Sequence, residues 1–252
     1  MTDVTPFDLD ELELAVRYQR WMAAIVAPYV GDRVLEIGAG SGNMSRWLTP
    51  RGRLVLTEPD ASLVTRLRAA VEKHPSPPTG GIAVEVFDPI EDDGARFVAE
   101  NLDTVVSFNV LEHIERDEEA LRTLAGILLR GGGAPPQRIV AVVPAHRFAY
   151  GTLDTEFAHC RRYDHAGFAR LAARAAPGSR VVTRSFNPVG LPAWLIAGRV
   201  LRQRRIKPSQ VRVAEALVPI YRFVDGIAVG KLGLRFGQSL VGVIELPSAA
   251  AS

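Results

Sequence analysis

Three glycines, Gly38, Gly40 and Gly42, follow directly on the apolar run of residues 34–37. A glycine-rich turn at the end of a buried strand lets the backbone turn tightly and come close to a nucleotide. The spacing is G-x-G-x-G, with Ala39 between the first two glycines and Asn43 where the dinucleotide fingerprint G-x-G-x-x-G needs its third. It argues against a cofactor carrying a pyrophosphate. Four further polar residues stand where an apolar sheet has no need of them. Glu36 precedes the turn, and Glu58, Asp88 and Asn109 close the next three apolar runs. A carboxylate at Glu58, roughly twenty residues past the first glycine, is placed to accept from ribose hydroxyls. Asp88 is placed to accept from an adenine amino group.

A second set lies beyond the fourth run. His113, His146, His159, Tyr150 and Asp154 are residue types that move protons, and a hydroxyl acceptor needs its proton removed by a His or a carboxylate. His113 and His146 each fall just past an apolar run, which puts both on the same sheet edge. His159 with Arg161, Arg162 and Tyr163 reads as a hydrogen-bonded cluster that pins a loop over the pocket; Arg162 also suits an anion. His146, Asp154 and His159 would suit a divalent ion by type. Their spacing is irregular and falls on a loop, so no metal is expected. Cys160 is the only cysteine, so no intrachain disulfide exists, as befits a reducing cytoplasm.

The elements that must position these groups alternate. Apolar runs at 34–37, 54–57, 82–87, 104–108 and 139–143 read as buried strands, and helical periodicity covers 8–29, 44–48, 60–73 and 115–130. Asp8 or Asp10 is placed to cap the first helix. Residues 145–164 have no clean period. Residues 165–175 read as a helix, and 181–186 and 238–246 as the last two strands. This pattern predicts an α/β fold with a seven-stranded, mostly parallel sheet and helices on both faces. Residues 187–236 read as a helical lid inserted between the last two strands of one domain spanning 1–252. Within it, a helix over 191–207 carries Leu191, Trp194, Leu195 and Gly198 on one face and runs into a basic stretch. Such a helix can lie on an anionic membrane or close over a hydrophobic or phosphate-bearing acceptor. Residues 213–224 read as a kinked core helix around Pro219. The tail at 248–252 reads as frayed.

Charge adds one hint. The net charge is +2, yet Arg199, Arg202, Arg204, Arg205 and Lys207 alone contribute +5, leaving −3 for the rest. Basic residues do not interleave with aromatics, so nucleic acid is not an expected partner. The longest uncharged run, 185–198, is too short to span a bilayer, and no charged segment followed by an apolar one opens the chain. A cytoplasmic protein is expected.

The segments VLEIGAGSGN, TEPD, FDP and Asn109-Val110-Leu111-Glu112-His113-Ile114 resemble the bacterial class I S-adenosylmethionine (SAM)-dependent methyltransferases of the small-molecule type. The resemblance implies a Rossmann-like fold and SAM as cofactor. Its binding residues would be Tyr18, Glu36, Gly38, Ala39, Gly40, Gly42, Asn43, Glu58, Pro59, Asp88, Asn109, Val110 and His113, with Glu36 facing the ammonium of the methionine half. A narrower similarity covers nearly the whole chain. It runs through Arg17-Tyr18 with Trp21, Val143-Pro144-Ala145-His146, Tyr150-Gly151, Asp154, His159, Arg161-Arg162-Tyr163, Phe186-Asn187-Pro188-Val189-Gly190 and Phe236-Gly237-Gln238-Ser239-Leu240. This subgroup is often found beside sugar or lipid-carrier genes. The chain departs from it at Ala158, where a glycine precedes the histidine, and at Arg130-Gly131-Gly132-Gly133 in place of Pro-Gly-Gly. The expected activity is methyl transfer, chiefly to oxygen, on a secondary metabolite, sugar or lipid-linked intermediate. His113, His146, Tyr150 and Asp154 are the expected catalytic residues. The alternative is a protein of the same fold that binds SAM without transferring methyl.

Overall fold

The computed structural model describes residues 13–247. The expected capping aspartates and the tail at 248–252 lie outside them. Seven strands form one sheet in the order β3-β2-β1-β4-β5-β7-β6. They are β1 (Arg33–Ile37), β2 (Arg53–Glu58), β3 (Ile82–Val86), β4 (Thr104–Phe108), β5 (Arg138–Pro144), β6 (Arg180–Phe186) and β7 (Ser239–Glu245). The first five are parallel, and β7 runs antiparallel between β5 and β6. Parallel neighbours need long crossovers, and helices supply them.

The central strands are apolar on both faces because both faces are covered. On one side α3 (Asp117–Gly131) and α5 (His165–Ala175) pack on Leu35, Val105, Ile139 and Ile244. On the other, α1 (Val16–Val26) and α2 (Ala61–Val71) pack on Val34, Leu54, Val106 and Val140. Register at the lower end of the sheet is fixed by Asp103, whose Oδ2 accepts from the backbone N–H groups of Asp32 and Arg33, both at 2.9 Å. The upper, carboxyl-terminal strand ends are thereby left to converge on a ligand.

Three expectations need correction. Residues 44–48 form a single 3₁₀ turn, Ser45–Trp47, and not an α-helix. Pro50 pushes the residue before it away from helical angles, and β2 begins only three residues later. The helix expected over 191–207 stops early. Helix α6 (Gly190–Leu195) continues as a π-helical turn through Val200, and Arg202 takes φ +48°, so the basic residues 202–207 lie on an irregular segment. The expected core helix is the surface helix α7 (Pro208–Asp225), which buries only Val218 and Asp225. Its other apolar residues are spread around the axis and stay outside: Phe223 is 70% exposed and Val213 59%. Helix α7 is anchored at two points. Glu215 accepts from the backbone N–H groups of Arg17 and Tyr18 at 2.8 and 2.9 Å, where it also opposes the dipole of α1. Asp225 accepts from the Asn187 N–H at 2.9 Å and from Arg184 at 2.8 Å.

Candidate functional site

The turn after β1 is built by left-handed backbone at Gly38, Gly40 and Gly42, with φ of +63°, +56° and +87°. At Gly38 a side chain is also excluded by space, because a Cβ would lie 2.6 Å from Cγ2 of Val110. Val110 thereby ties the turn to the end of β4. The Gly40 N–H donates to Glu58 at 2.9 Å, and Asp60 N–H reaches the same carboxylate at 3.2 Å. Burial pushes the Glu58 carboxyl up, and these two donors pull it part of the way back. Glu36 is buried below the turn and its Oε2 meets no hydrogen-bond donor. Burial, with the Glu58 charge nearby, raises its pKa to about 7. Asp88 lies half-buried past β3 and accepts from the Ile90 N–H at 2.9 Å. Asn109 is exposed at φ +53°, its N–H donating to the Val142 carbonyl at 2.8 Å. Glu36, Glu58, Asp88 and Asn109 thus stand at or beside the ends of β1, β2, β3 and β4.

Farther along the same edge, a short 3₁₀ turn over Leu111–His113 carries Glu112 and His113. Glu112 is fully buried, and neither carboxylate oxygen meets a donor from another residue. Burial raises its pKa to about 8. His113 is exposed at the surface, while the protein around its ring, with His159 nearby, lowers its pKa to about 4 and keeps the ring neutral at physiological pH. The His113 and His159 rings meet edge to face at 5.0 Å between centroids.

His159 comes from the loop after α4 (Thr152–Glu156). That loop is stitched to the turn by the Cys160 N–H, which donates to the Glu112 carbonyl at 2.7 Å. Asp154 holds the loop from within. It has no exposed surface, and it accepts from His159 Nδ1 at 2.9 Å, Arg162 Nε at 2.6 Å, the Gly151 N–H at 2.9 Å and Trp194 Nε1 at 3.3 Å. Burial opposes its charge, but these donors and the Arg162 charge outweigh burial and hold its carboxyl below the usual range. The Arg162 guanidinium lies over the Trp194 ring at 4.8 Å. Arg161 pairs with Asp117 at 2.8 Å, and Tyr163 donates to the Asp117 carboxylate at 2.9 Å.

His146 follows β5. It stacks on Phe148 and Phe236 with centroids 5.1 and 5.7 Å apart, and its backbone sits at φ +62°, held by its N–H donating to the Tyr163 carbonyl. Strain of that kind in a non-glycine residue persists only where the surroundings enforce it. Burial lowers the pKa of this ring too. The nearby Tyr150 is exposed and donates to the His159 carbonyl at 2.7 Å. A separate cavity of about 530 Å³ opens behind the glycine turn, lined by Gly42, Asn43, Arg46, Leu67, Lys73 and His74, away from Glu58, Asp88 and Asn109.

Residues 35–134 match the methyltransferase-domain family. Over that stretch the chain is similar to a methyltransferase domain. No curated protein is significantly similar to the chain in sequence. Solved structures share its fold at low identity. The methyltransferase domain of bacterial CtHen1 matches at 14% identity over 92% of this chain and 100% of that one, with a TM-score of 0.54. A SAM-dependent methyltransferase from Mesorhizobium loti matches at 15% over 90% and 97%, TM-score 0.53. The [4+2]-cyclase SpnF matches at 12% over 91% and 81%, TM-score 0.55.

The donor set at these strand ends suits the expected cofactor, SAM. The turn at 38–42 leaves no Cβ in the way at Gly38, two carboxylates end β1 and β2, and Glu36 offers an unpartnered oxygen that an ammonium would satisfy. The expected SAM residues from Glu36 to Asn43, with Glu58, Pro59, Asp88, Asn109, Val110 and His113, fall on one edge. Tyr18 stands farther along that edge: its ring packs on Trp21 and Phe186, and its hydroxyl faces Asn187 and Ser239, which the register sets level with the end of β5. Of the expected catalytic residues, His113 and Tyr150 are exposed, and His146 is half-buried with its Nε2 accepting from the Gly237 N–H at 3.4 Å. Asp154 is sealed inside with its oxygens engaged, so it acts on its neighbours. Trp194, expected on a membrane or acceptor face, is turned inward by Asp154 and Arg162. Sequence reasoning missed Glu112, which was legible only as part of the motif after β4. Its burial depends on a loop nearly fifty residues downstream.

Proposed function

We propose that the methyltransferase moves the SAM methyl to an oxygen of a small-molecule acceptor, a secondary metabolite, sugar or lipid-linked intermediate. The reading rests on two imidazoles, His113 and His146, that stand past consecutive strands beside the cofactor edge, with burial lowering the pKa of each. SAM supplies an electrophilic methyl group on a sulfonium. Glycines 38–42 and Glu58 would hold its nucleoside half and Glu36 its ammonium. The acceptor hydroxyl loses its proton to an imidazole, which must be neutral to take it, as its oxygen meets the methyl in line. Holding the two in that geometry supplies much of the acceleration. Tyr150 at the rim helps to orient the acceptor, and Asp154 is a positioning residue that fixes His159 and the loop.

An acceptor with an apolar part is favoured by the surface of the helical insertion, where Val200, Leu201, Phe223 and Leu232 are each at least 60% exposed among arginines. That surface also supports peripheral membrane contact, through α7 and the segment after α6 and not through Trp194. Purified protein with methyl-labelled SAM and a fractionated cell extract tests the reading. Label in an organic-soluble product supports a lipid-linked or hydrophobic acceptor, and label in a polar product supports a sugar. A second reading is favoured by the fold shared with a [4+2]-cyclase: SAM is bound and no methyl leaves it. Absence of S-adenosylhomocysteine from every fraction, with SAM bound in calorimetry, would select that reading.

A further inference from the structure

Glu112, His113 and His159 bring one ligand atom each to within 4.8 Å of one another. Atoms that bind one ion at about 2.0–2.2 Å sit about 3–4 Å apart, so small side-chain rotations close the set. Each member is already prepared. His159 must use Nδ1–H toward Asp154, because a carboxylate only accepts. Nε2 of His159 is then the free nitrogen, and it lies 4.0 Å from Glu112 Oε1, too far for a hydrogen bond. His113 meets the His159 ring edge to face and brings a ring nitrogen to within 4.8 Å of the other two ligand atoms. Glu112 is a fully buried carboxylate with both oxygens unpartnered, which is costly unless something satisfies it.

We propose that Glu112, His113 and His159 form a binding site for a transition-metal dication, with Asp154 as the outer carboxylate that orients His159. Histidine held by a carboxylate through its other nitrogen is the usual arrangement around a bound metal. Two imidazoles and one carboxylate suit a zinc-like ion and leave coordination positions open. His113 is exposed, so those positions can be reached from solvent. On the reading of an oxygen acceptor given above, the open positions take its hydroxyl oxygen and lower its pKa. His146 is then the group left to receive the proton.

The full chain, freed of metal by chelation, is titrated with Zn2+ by calorimetry and with Co2+ by visible absorption, for wild type, Glu112→Gln and His113→Ala. The expected result is one equivalent bound by wild type, and a loss of more than about 100-fold in both variants, since removing only an outer partner costs about 10–100-fold. Glu112→Gln keeps the side-chain shape, and His113 is exposed, so both variants should fold; circular dichroism checks this. No binding to wild type, or an equivalent that both variants retain, overturns the proposal. SAM binding is measured on the same samples. Metal without SAM binding would sink the methyl-transfer reading and leave this site standing, and the reverse result would do the opposite.

Discussion

The two ends of the sheet edge hold their carboxylates in different ways. Around β1 to β3, Glu58 and Asp88 are gripped mainly by backbone N–H groups close in sequence, from Gly40, Asp60 and Ile90. Around β5 to β7, Asp154 is gripped largely by side chains: His159, Arg162 and, from the helical insertion, Trp194. The first arrangement is set by strand, turn and helix and needs little else. The second exists only when α4, its following loop and α6 have all docked. A fold can therefore keep its cofactor edge constant while the acceptor edge is rebuilt by exchanging a loop and an insertion.

Asp154→Ala should show the contrast at its largest. The change leaves Arg162, 4% exposed, buried without its partner. Breaking a buried pair from one side costs about 3–5 kcal/mol. The same change also frees His159 from its tautomer. Urea unfolding should show a loss in that range, with SAM binding kept in the fraction that stays folded. A loss below about 1 kcal/mol would mean that the acceptor edge does not depend on this hub.

Glu36→Gln tests the other end. With its folded pKa near 7 and an ordinary value of 4.5, Glu36 stabilises the unliganded fold below about pH 4.5. That contribution is lost as pH rises through 7. A cation bound beside it favours the charged form, so SAM affinity should rise between pH 6 and 8. Glu36→Gln should remove that rise and weaken SAM binding at pH 8 by about tenfold or more, the size of a lost charge-assisted hydrogen bond. It should also make the unliganded protein more stable at pH 8. Calorimetry at the two pH values checks the affinity, and thermal unfolding checks the stability. An unchanged pH slope would take Glu36 out of the cofactor site.

The same contrast explains what was legible in the sequence. All seven strands, and the placement of Glu36, Glu58, Asp88 and Asn109 at their ends, follow from apolar runs of strand length and the turns that end them. Residues 145–164 have no period, and their order comes from contacts that no local pattern encodes. The single cluster expected of His159, Arg161, Arg162 and Tyr163 is two: His159 and Arg162 meet at Asp154, Arg161 and Tyr163 at Asp117. Neither hub, nor the buried Glu112 beside the first, could be read from composition. Helix α7 misled for a related reason: an apolar composition reads as core, although its residues do not share one face.

Ala158 gives the smallest test and ties the two ends together. This residue replaces the glycine of the similar subgroup, and the structure puts it at φ +55°, in the left-handed region. An L-residue there costs roughly 1–2 kcal/mol, while glycine loses about 0.4–1 kcal/mol more entropy on folding. Ala158→Gly should therefore stabilise the protein by about 0.5–1 kcal/mol, read as a higher urea midpoint at unchanged slope. Its backbone lies near His113 and its successor is His159, so the alanine makes the loop that holds both imidazoles harder to form without altering their contacts. Turnover should then change little. If the glycine variant is instead destabilised, the left-handed turn is not what the loop uses, and the seat of both imidazoles has to be redrawn.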